Sequence, residues 1–106
     1  LGEELRTVYE FMPRFEKRCM GVIQPEMGRT GVTAFLEICT LARAHHVRVM
    51  PHASIGMGIF QAASLHASCA VAGLVMHEYQ HSIFDKNLPY LTEGMGCEGG
   101  AFRLPT

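Results

Sequence analysis

The sequence lacks both a cluster of positive charge and an uninterrupted apolar run long enough to cross a membrane. The formal net charge is -1 at pH 7, and the 9 Lys and Arg residues form no run. Because nucleic acids and anionic membranes are bound through concentrated positive charge, we expect neither as a partner. The most apolar segment, residues 55–76, is interrupted by Gln61, Ser64, His66 and Ser68.

The 4 cysteines also lack the spacing of a metal site or a disulfide framework, since there is no Cys-x-x-Cys pair. Cys39 and Cys69 fall within apolar helical patterns, which predicts buried free thiols rather than zinc ligands. Free thiols are typical of a reducing compartment. We therefore expect a cytoplasmic protein.

Apolar segments of two kinds alternate along the chain, in a globular composition of 48% hydrophobic and 18% charged residues. Short runs at residues 22–23, 47–50 and 74–76, bounded by Gly or Pro, predict strands. Apolar residues at helical spacing predict helices from Thr7 to about Cys19, from Val32 to His46 and from Ile59 to Ala72. This alternation predicts an α/β fold with about three parallel strands and intervening helices.

The predicted sheet is too small to be complete. Three short strands cannot close a barrel and would leave apolar edges open. We therefore expect the chain to be part of a longer protein. After Ser82 the pattern dissolves into a Gly-rich loop, and Phe102 to Leu104 could form one short return strand.

Ionisable residues follow each predicted strand. Glu26, His52 and Glu78 come at or just after the three strand ends, and Glu3 precedes the first helix. The carboxyl ends of parallel strands are where such folds bind ligands and carry out catalysis, so these four side chains could converge on one site. Taken singly, a Glu here could cap a helix and a His could be structural, so the residues alone leave both interpretations open.

Other candidates are weaker. His77 and His81 are four residues apart, as in a zinc pair on a helix, but this stretch resembles a strand end. Strand alternation would also turn His77 away from Glu78. Gly56 and Gly58 could bring backbone N–H groups to an anion or could simply form a turn.

Several motifs in order resemble the mandelate racemase branch of the enolase superfamily, the mandelate racemase/muconate lactonizing enzyme-like family. They are Gly2-Glu3 before a helix, the segment Ile23-Gln24-Pro25-Glu26-Met27-Gly28-Arg29-Thr30-Gly31, Pro51-His52 before a Gly-rich loop, and His77-Glu78-Tyr79. The resemblance implies the C-terminal part of a (β/α) TIM-type barrel. Residues 1–82 would form the last strands and helices of the catalytic domain, and residues 83–106 would leave the barrel toward a capping domain.

The resemblance also implies a role for each strand-end residue. Glu3 matches a magnesium ligand, so Mg²⁺ is the expected cofactor. Glu26 matches the acid that hydrogen-bonds the catalytic His, His52 matches that base, and Glu78 matches an acid that helps stabilise the enolate. The family usually has Asp where this chain has Glu26.

The implied reaction is magnesium-dependent abstraction of the proton alpha to a carboxylate. Among enzymes that use this reaction, we expect an acid-sugar dehydratase that acts on a small-molecule carboxylate. We also expect the full-length protein to be a homo-oligomer. The alternatives are a racemase or epimerase of a hydroxy acid, and a non-catalytic binding module. We expect the 106 residues alone to be inactive.

Overall fold

The secondary structure alternates between helices and very short strands. A computed structural model describes residues 1–53, 56–92 and 95–104. The helices are α1 (Val8–Glu16), α2 (Met27–Thr30), α3 (Val32–Ala44), α4 (Ile59–Cys69) and α5 (His81–Asn87), followed by a 3-10 turn at Leu88–Tyr90. The strands are β1 (Val22–Ile23), β2 (Arg48–Val49), β3 (Cys97–Glu98) and β4 (Ala101–Phe102).

The first two strands and their neighbours form a small parallel sheet. β1 pairs with β2 in parallel, with Val22 opposite Arg48, and a single parallel bridge joins Val49 to Leu74. On the other side of β1, the Gln24 N–H donates to the Leu1 carbonyl over 2.8 Å. The predicted parallel arrangement is confirmed, although the third strand is reduced to the bridge at Leu74. Spatial neighbours in this sheet are also successive in the chain.

Helix α1 begins with the predicted capping box and ends earlier than its apolar pattern suggests. The Glu10 carboxylate accepts the Thr7 N–H over 2.8 Å, which provides a partner for a backbone donor at the helix start. The helix continues through Pro13 but ends at Glu16, three residues before Cys19. Arg18, with φ at 49°, adopts a left-handed conformation that a helix cannot continue through.

The main core lies between the parallel sheet and the helices around it. Phe11 and Phe15 of α1, Ile23 of β1, and Phe35 and Ile38 of α3 are all buried there. Val49 of β2 and Ala67 of α4 belong to the same cluster. Burial of each Phe, Ile and Val side chain contributes roughly 1.5–3 kcal/mol, so this core holds the strand ends in a fixed relative position.

The structure corrects the prediction for residues after Ser82, where α5, the 3-10 turn and the hairpin β3–β4 are formed. The return strand begins at Ala101, one residue before the predicted Phe102, and Phe102 lies opposite Cys97. Phe84 is buried and its ring lies 5.2 Å from that of Phe102. These aromatics are too far apart in the chain to produce a helical or strand period.

Of the two cysteines predicted to be buried free thiols, the structure confirms Cys39, whereas the predicted burial of Cys69 is wrong. All four cysteines are free thiols, and Cys39 is buried, with burial raising its pKa to about 12. Cys69, the last residue of α4, is exposed. Within the described ranges, none of the helices has the length and hydropathy to span a bilayer.

Candidate active site

Backbone pairing beyond the strands brings three candidate residues to one edge of the sheet. The His52 N–H donates to the Pro25 carbonyl over 3.1 Å, and the Glu78 N–H donates to the Pro51 carbonyl over 3.1 Å. The first bond keeps the register of the bond from the Met50 N–H to the Ile23 carbonyl, and the second is shifted by one residue from the bond between the Val75 N–H and the Val49 carbonyl. Glu26, His52 and Glu78 therefore lie side by side where the three segments leave the sheet.

Glu26 and His52 form a close pair. The His52 Nδ1 lies 3.1 Å from the Glu26 Oε2, and the Glu26 side chain is only 5% exposed. The same oxygen lies 3.3 Å from the Arg29 Nε, so a guanidinium compensates the buried carboxylate. The longer side chain of Glu, in place of the usual Asp of the resemblance, still reaches the imidazole.

The second ring nitrogen of His52 lies near two further carboxylates. This Nε2 lies 3.0 Å from the Glu3 Oε2 and 3.7 Å from the Glu78 Oε2. Because carboxylates only accept hydrogen bonds, whichever ring nitrogen of His52 carries a proton has a carboxylate to donate to. The Ala53 N–H donates to the Glu78 Oε2 over 3.0 Å, which orients that carboxylate.

Gly2 holds the segment that carries Glu3 against helix α1. It is buried with φ at 122°, and a Cβ there would lie 2.9 Å from the Phe11 Cε1. Only glycine combines this backbone conformation with such a close approach to a core ring. Glu3 therefore starts from a fixed backbone position, although its side chain is 53% exposed.

Among the residues that the structure describes, the donor set for a metal is incomplete. Glu3 offers a hard carboxylate oxygen of the kind that magnesium prefers, and it is accessible. In the described part of the chain, no group of three or more His, Cys, Asp or Glu side chains is arranged to hold a metal ion. Glu3 therefore fits the role of one ligand in a larger set.

Some contributors to the site were not predicted. Arg29 follows Glu26 by three residues in the short helix α2, which the sequence pattern did not indicate because four residues are too few for a period. The Ala53 N–H was also missed, since backbone donors carry no sequence signal. Gly56 does not need an anion to explain it, because a Cβ there would overlap the Phe60 ring.

The strand–helix order and the residues at the strand ends are those of the last part of a (β/α) barrel. Residues 1–106 match the family described as enolase C-terminal domain-like. The chain belongs to the enolase superfamily.

Relatives within the family include enzymes named for acid sugars. L-rhamnonate dehydratase of Saccharopolyspora erythraea is 30% identical over 105 residues, 98% of this chain and 27% of that protein. The crystal structure of a candidate isomerase from Sinorhizobium meliloti, in an open loop conformation, is 49% identical with a TM-score of 0.92, covering 98% of this chain and 27% of that one.

A third relative was solved with a small carboxylate. It is an enolase from Agrobacterium radiobacter, a candidate galactarate dehydratase with bound Na and L-malate. It is 30% identical with a TM-score of 0.68, over 74% of this chain and 20% of that one. The chain thus spans 20–27% of the length of these three relatives.

Proposed function

We propose that this chain contributes the catalytic base to a magnesium-dependent enzyme that removes the proton alpha to a carboxylate, most specifically an acid-sugar dehydratase. The observation that carries the proposal is the contact of 3.1 Å between the His52 Nδ1 and the buried Glu26 Oε2. A carboxylate at Nδ1 selects the tautomer whose Nε2 is free to accept a proton. That Nε2 is on the side of Glu3 and Glu78, away from the buried acid.

In the reactive state, His52 is neutral and its Nδ1–H donates to Glu26. The Nε2 lone pair takes the alpha proton of the substrate, the C–H bond breaks, and its electron pair moves into the carboxylate to give an enediolate. The imidazolium that forms is stabilised by Glu26, whose charge Arg29 in turn balances. The β-hydroxyl must take up one proton to leave as water. The His52 imidazolium supplies that proton from its Nε2.

Glu78 has a separate role in this proposal. Its Oε2 is oriented by the Ala53 N–H and lies 3.7 Å from the His52 Nε2, next to the expected position of the reacting carbon. A protonated Glu78 would donate to the oxygen that gains negative charge. An ionised Glu78 could not do so, because it would be an acceptor only.

Magnesium, when bound, would supply positive charge that stabilises the enediolate. Of the described residues, Glu3 is the one that would hold it. The other ligands would come from the rest of a longer protein, consistent with relatives of which this chain covers 27%.

A racemase or epimerase of a hydroxy acid is the second candidate, and the 49% identity to a candidate isomerase favours it. It would use the same His52–Glu26 pair for the first proton transfer. The difference would lie in a second base, on the opposite face of the substrate, that returns the proton to carbon. A module that only binds a ligand would have no need of the paired imidazole.

The test is a screen of the full-length protein with Mg²⁺ in D₂O against a library of acid sugars that includes L-rhamnonate and galactarate. We expect the wild type to incorporate deuterium at the alpha carbon or to form a 2-keto-3-deoxy acid. His52→Asn should lower that rate by about 10²–10⁴-fold while magnesium still binds. His66→Asn, on the exposed face of α4, is the matched control.

The products separate the candidates. A keto acid with loss of water identifies a dehydratase, whereas exchange with inversion and no loss of water identifies a racemase or epimerase. Full activity of His52→Asn on a substrate that the wild type converts would contradict the assignment of the base.

A further inference from the structure

His77 is a partly buried imidazole with two hydrogen-bond partners, and the proposed reaction does not use it. Its Nε2 lies 2.9 Å from the Ser64 Oγ of helix α4, and its Nδ1 lies 2.8 Å from the Glu78 carbonyl oxygen. Burial lowers the pKa of His77, an effect that outweighs the opposing influence of Glu78. Because this pKa lies below 6.5, the neutral imidazole is the main form at pH 7.

The two contacts determine which nitrogen carries the proton. A backbone carbonyl can only accept, so the His77 Nδ1 must donate to Glu78. In a neutral imidazole the Nε2 is then an acceptor, so the Ser64 hydroxyl must donate to it. Ser64 is itself fully buried and lies in helix α4, so its hydroxyl is held in a fixed position.

Hydrogen bonds hold the backbone of Glu78 on both sides. Its N–H donates to the Pro51 carbonyl over 3.1 Å, and its carbonyl accepts from His77 over 2.8 Å. Its carboxylate accepts from the Ala53 N–H over 3.0 Å. The bonds to Pro51 and Ala53 tie Glu78 to the segment that carries His52, whereas the bond from His77 ties it to α4.

The C-terminal hairpin covers the imidazole. The Phe102 ring of β4 packs edge-on against His77, with ring centroids 5.6 Å apart. Phe102 also contacts Tyr79 and the buried Phe84. An apolar cover of this kind strengthens the hydrogen bonds beneath it by keeping water away.

We propose that His77, locked in one tautomer by Ser64, is a positioning residue that fixes the backbone of Glu78 and so aims its carboxylate at the Nε2 side of His52. Its importance for catalysis rests on the proposed function. The positioning itself is a property of the fold and can be measured without a substrate.

The first experiment measures the Ala53 amide, whose proton reports on the Glu78 carboxylate. In the full-length protein, labelling His carbonyls with ¹³C and Ala nitrogens with ¹⁵N selects His–Ala pairs, and this chain contains only His52–Ala53 and His66–Ala67. Ser64→Ala removes one hydroxyl and keeps the His77 ring. We expect its Ala53 amide proton to shift upfield and to exchange faster with solvent.

Two further variants test the donor at Nδ1. His77→Phe removes it and should shift the Ala53 amide more than Ser64→Ala does, with the Ala67 amide as a check that α4 remains folded. His77→Asn can place an amide N–H near the position of Nδ1 and should restore much of the wild-type signal. His81→Asn, exposed on α5, is the matched control.

The second experiment asks whether His77 acts through Glu78, using a substrate found in the screen. Ser64→Ala and His77→Phe should each lower kcat by about 10-fold or more with little change in KM, because a misplaced carboxylate affects the transition state. In a Glu78→Gln background the same changes should have less than about a 2-fold further effect, since they have no correctly aimed acid left to disturb.

An Ala53 amide that is unchanged in folded Ser64→Ala and His77→Phe would overturn the proposal, as would kcat effects that are additive with Glu78→Gln. Failure of the proposed function has a different signature. In that case His52→Asn would keep full activity, while the Ala53 amide would still respond to Ser64 and His77.

Discussion

Two carboxylates contact His52 at nearly equal distances but in contrasting surroundings. Glu26 lies 3.1 Å from Nδ1 and its side chain is 5% exposed, whereas Glu3 lies 3.0 Å from Nε2 and is 53% exposed. Glu26 also has Arg29 as a second fixed partner. Distance alone would rank the two contacts as equal. Burial separates them, because a charge in the interior depends on its partners and an exposed one can turn to water or a ligand.

The largest effect in this comparison is expected at the buried member. Glu26→Gln removes the negative charge that stabilises the imidazolium and allows the wrong tautomer of His52, so kcat should fall by about 10²-fold or more in the full-length protein. Glu26→Asp keeps the charge with a shorter reach and should lose less. The measurement is kcat on a substrate from the screen. Equal activity of Glu26→Gln and wild type would remove the distinction between the two carboxylates.

A smaller effect, of a different kind, is expected at the exposed member. Glu3→Gln should weaken magnesium binding by about 10-fold or more, because loss of a direct ligand should cost at least as much as loss of an outer-shell partner. Its effect on the free energy of unfolding should be within about 0.5 kcal/mol, as for other surface positions. Isothermal titration with MgCl₂ and urea denaturation measure the two quantities.

Glu4→Gln is the matched control for this prediction. Glu4 is the next residue, its side chain is 74% exposed, and it contacts Arg29 rather than His52. It should bind magnesium as the wild type does. If both variants bind magnesium as tightly as the wild type does, Glu3 is not a ligand.

Burial also predicts a pH dependence of stability at His77. Its pKa is lowered from the ordinary 6.5, so the unfolded chain binds its proton at a higher pH than the folded chain does. The stabilisation is therefore present above pH 6.5 and is lost as the pH falls below that value toward the folded pKa. The charged and titratable groups that act on this imidazole are Glu78 and His52.

The measurement is urea denaturation between pH 5 and pH 8, at about half-unit steps, for wild type and His77→Asn. The wild type should lose more stability toward acid than the variant, which has no proton to take up at this position. Parallel curves for the two proteins would contradict the prediction.

The smallest effect is expected at an ion pair that matches the Glu26–His52 contact in length alone. The Arg103 Nη2 lies 3.1 Å from the Glu98 Oε2, and the two side chains are 81% and 77% exposed. Arg103→Ala should change the Tm of the full-length protein by less than about 2 °C, because exposed pairs contribute little. A large loss of Tm would mean that distance predicts the strength of these contacts better than burial does.

The placement of the strand-end residues at one edge of the sheet was predictable because the strand–loop–helix units have nearly the same length. Glu26 and His52 are separated by 26 residues, and so are the paired residues Val22 and Arg48. A fixed offset from each strand end therefore places side chains at the same edge of the sheet. The chemical roles of these residues stay predictions.

Tertiary contacts set the limit of what could be predicted. Ser64 lies in an Ala-rich helix, and nothing in that segment indicates that its hydroxyl meets the imidazole of His77. Helix α5 and the hairpin are held by Tyr79, Phe84 and Phe102, which have no shared period. Such contacts depend on where separate elements come together, so a local pattern does not reveal them.

The strict agreement between strand order in space and order along the chain has a consequence for how the molecule assembles. Val49 pairs with Leu74, 25 residues later, much as Val22 pairs with Arg48. Each strand pairing in the parallel sheet thus closes a chain segment of similar and modest length. The entropic cost of closing such a segment rises only slowly with its length. We expect each unit to dock on the one synthesised just before it. Because the His52 N–H bonds to the Pro25 carbonyl, the step that pairs β1 with β2 would also bring His52 to Glu26.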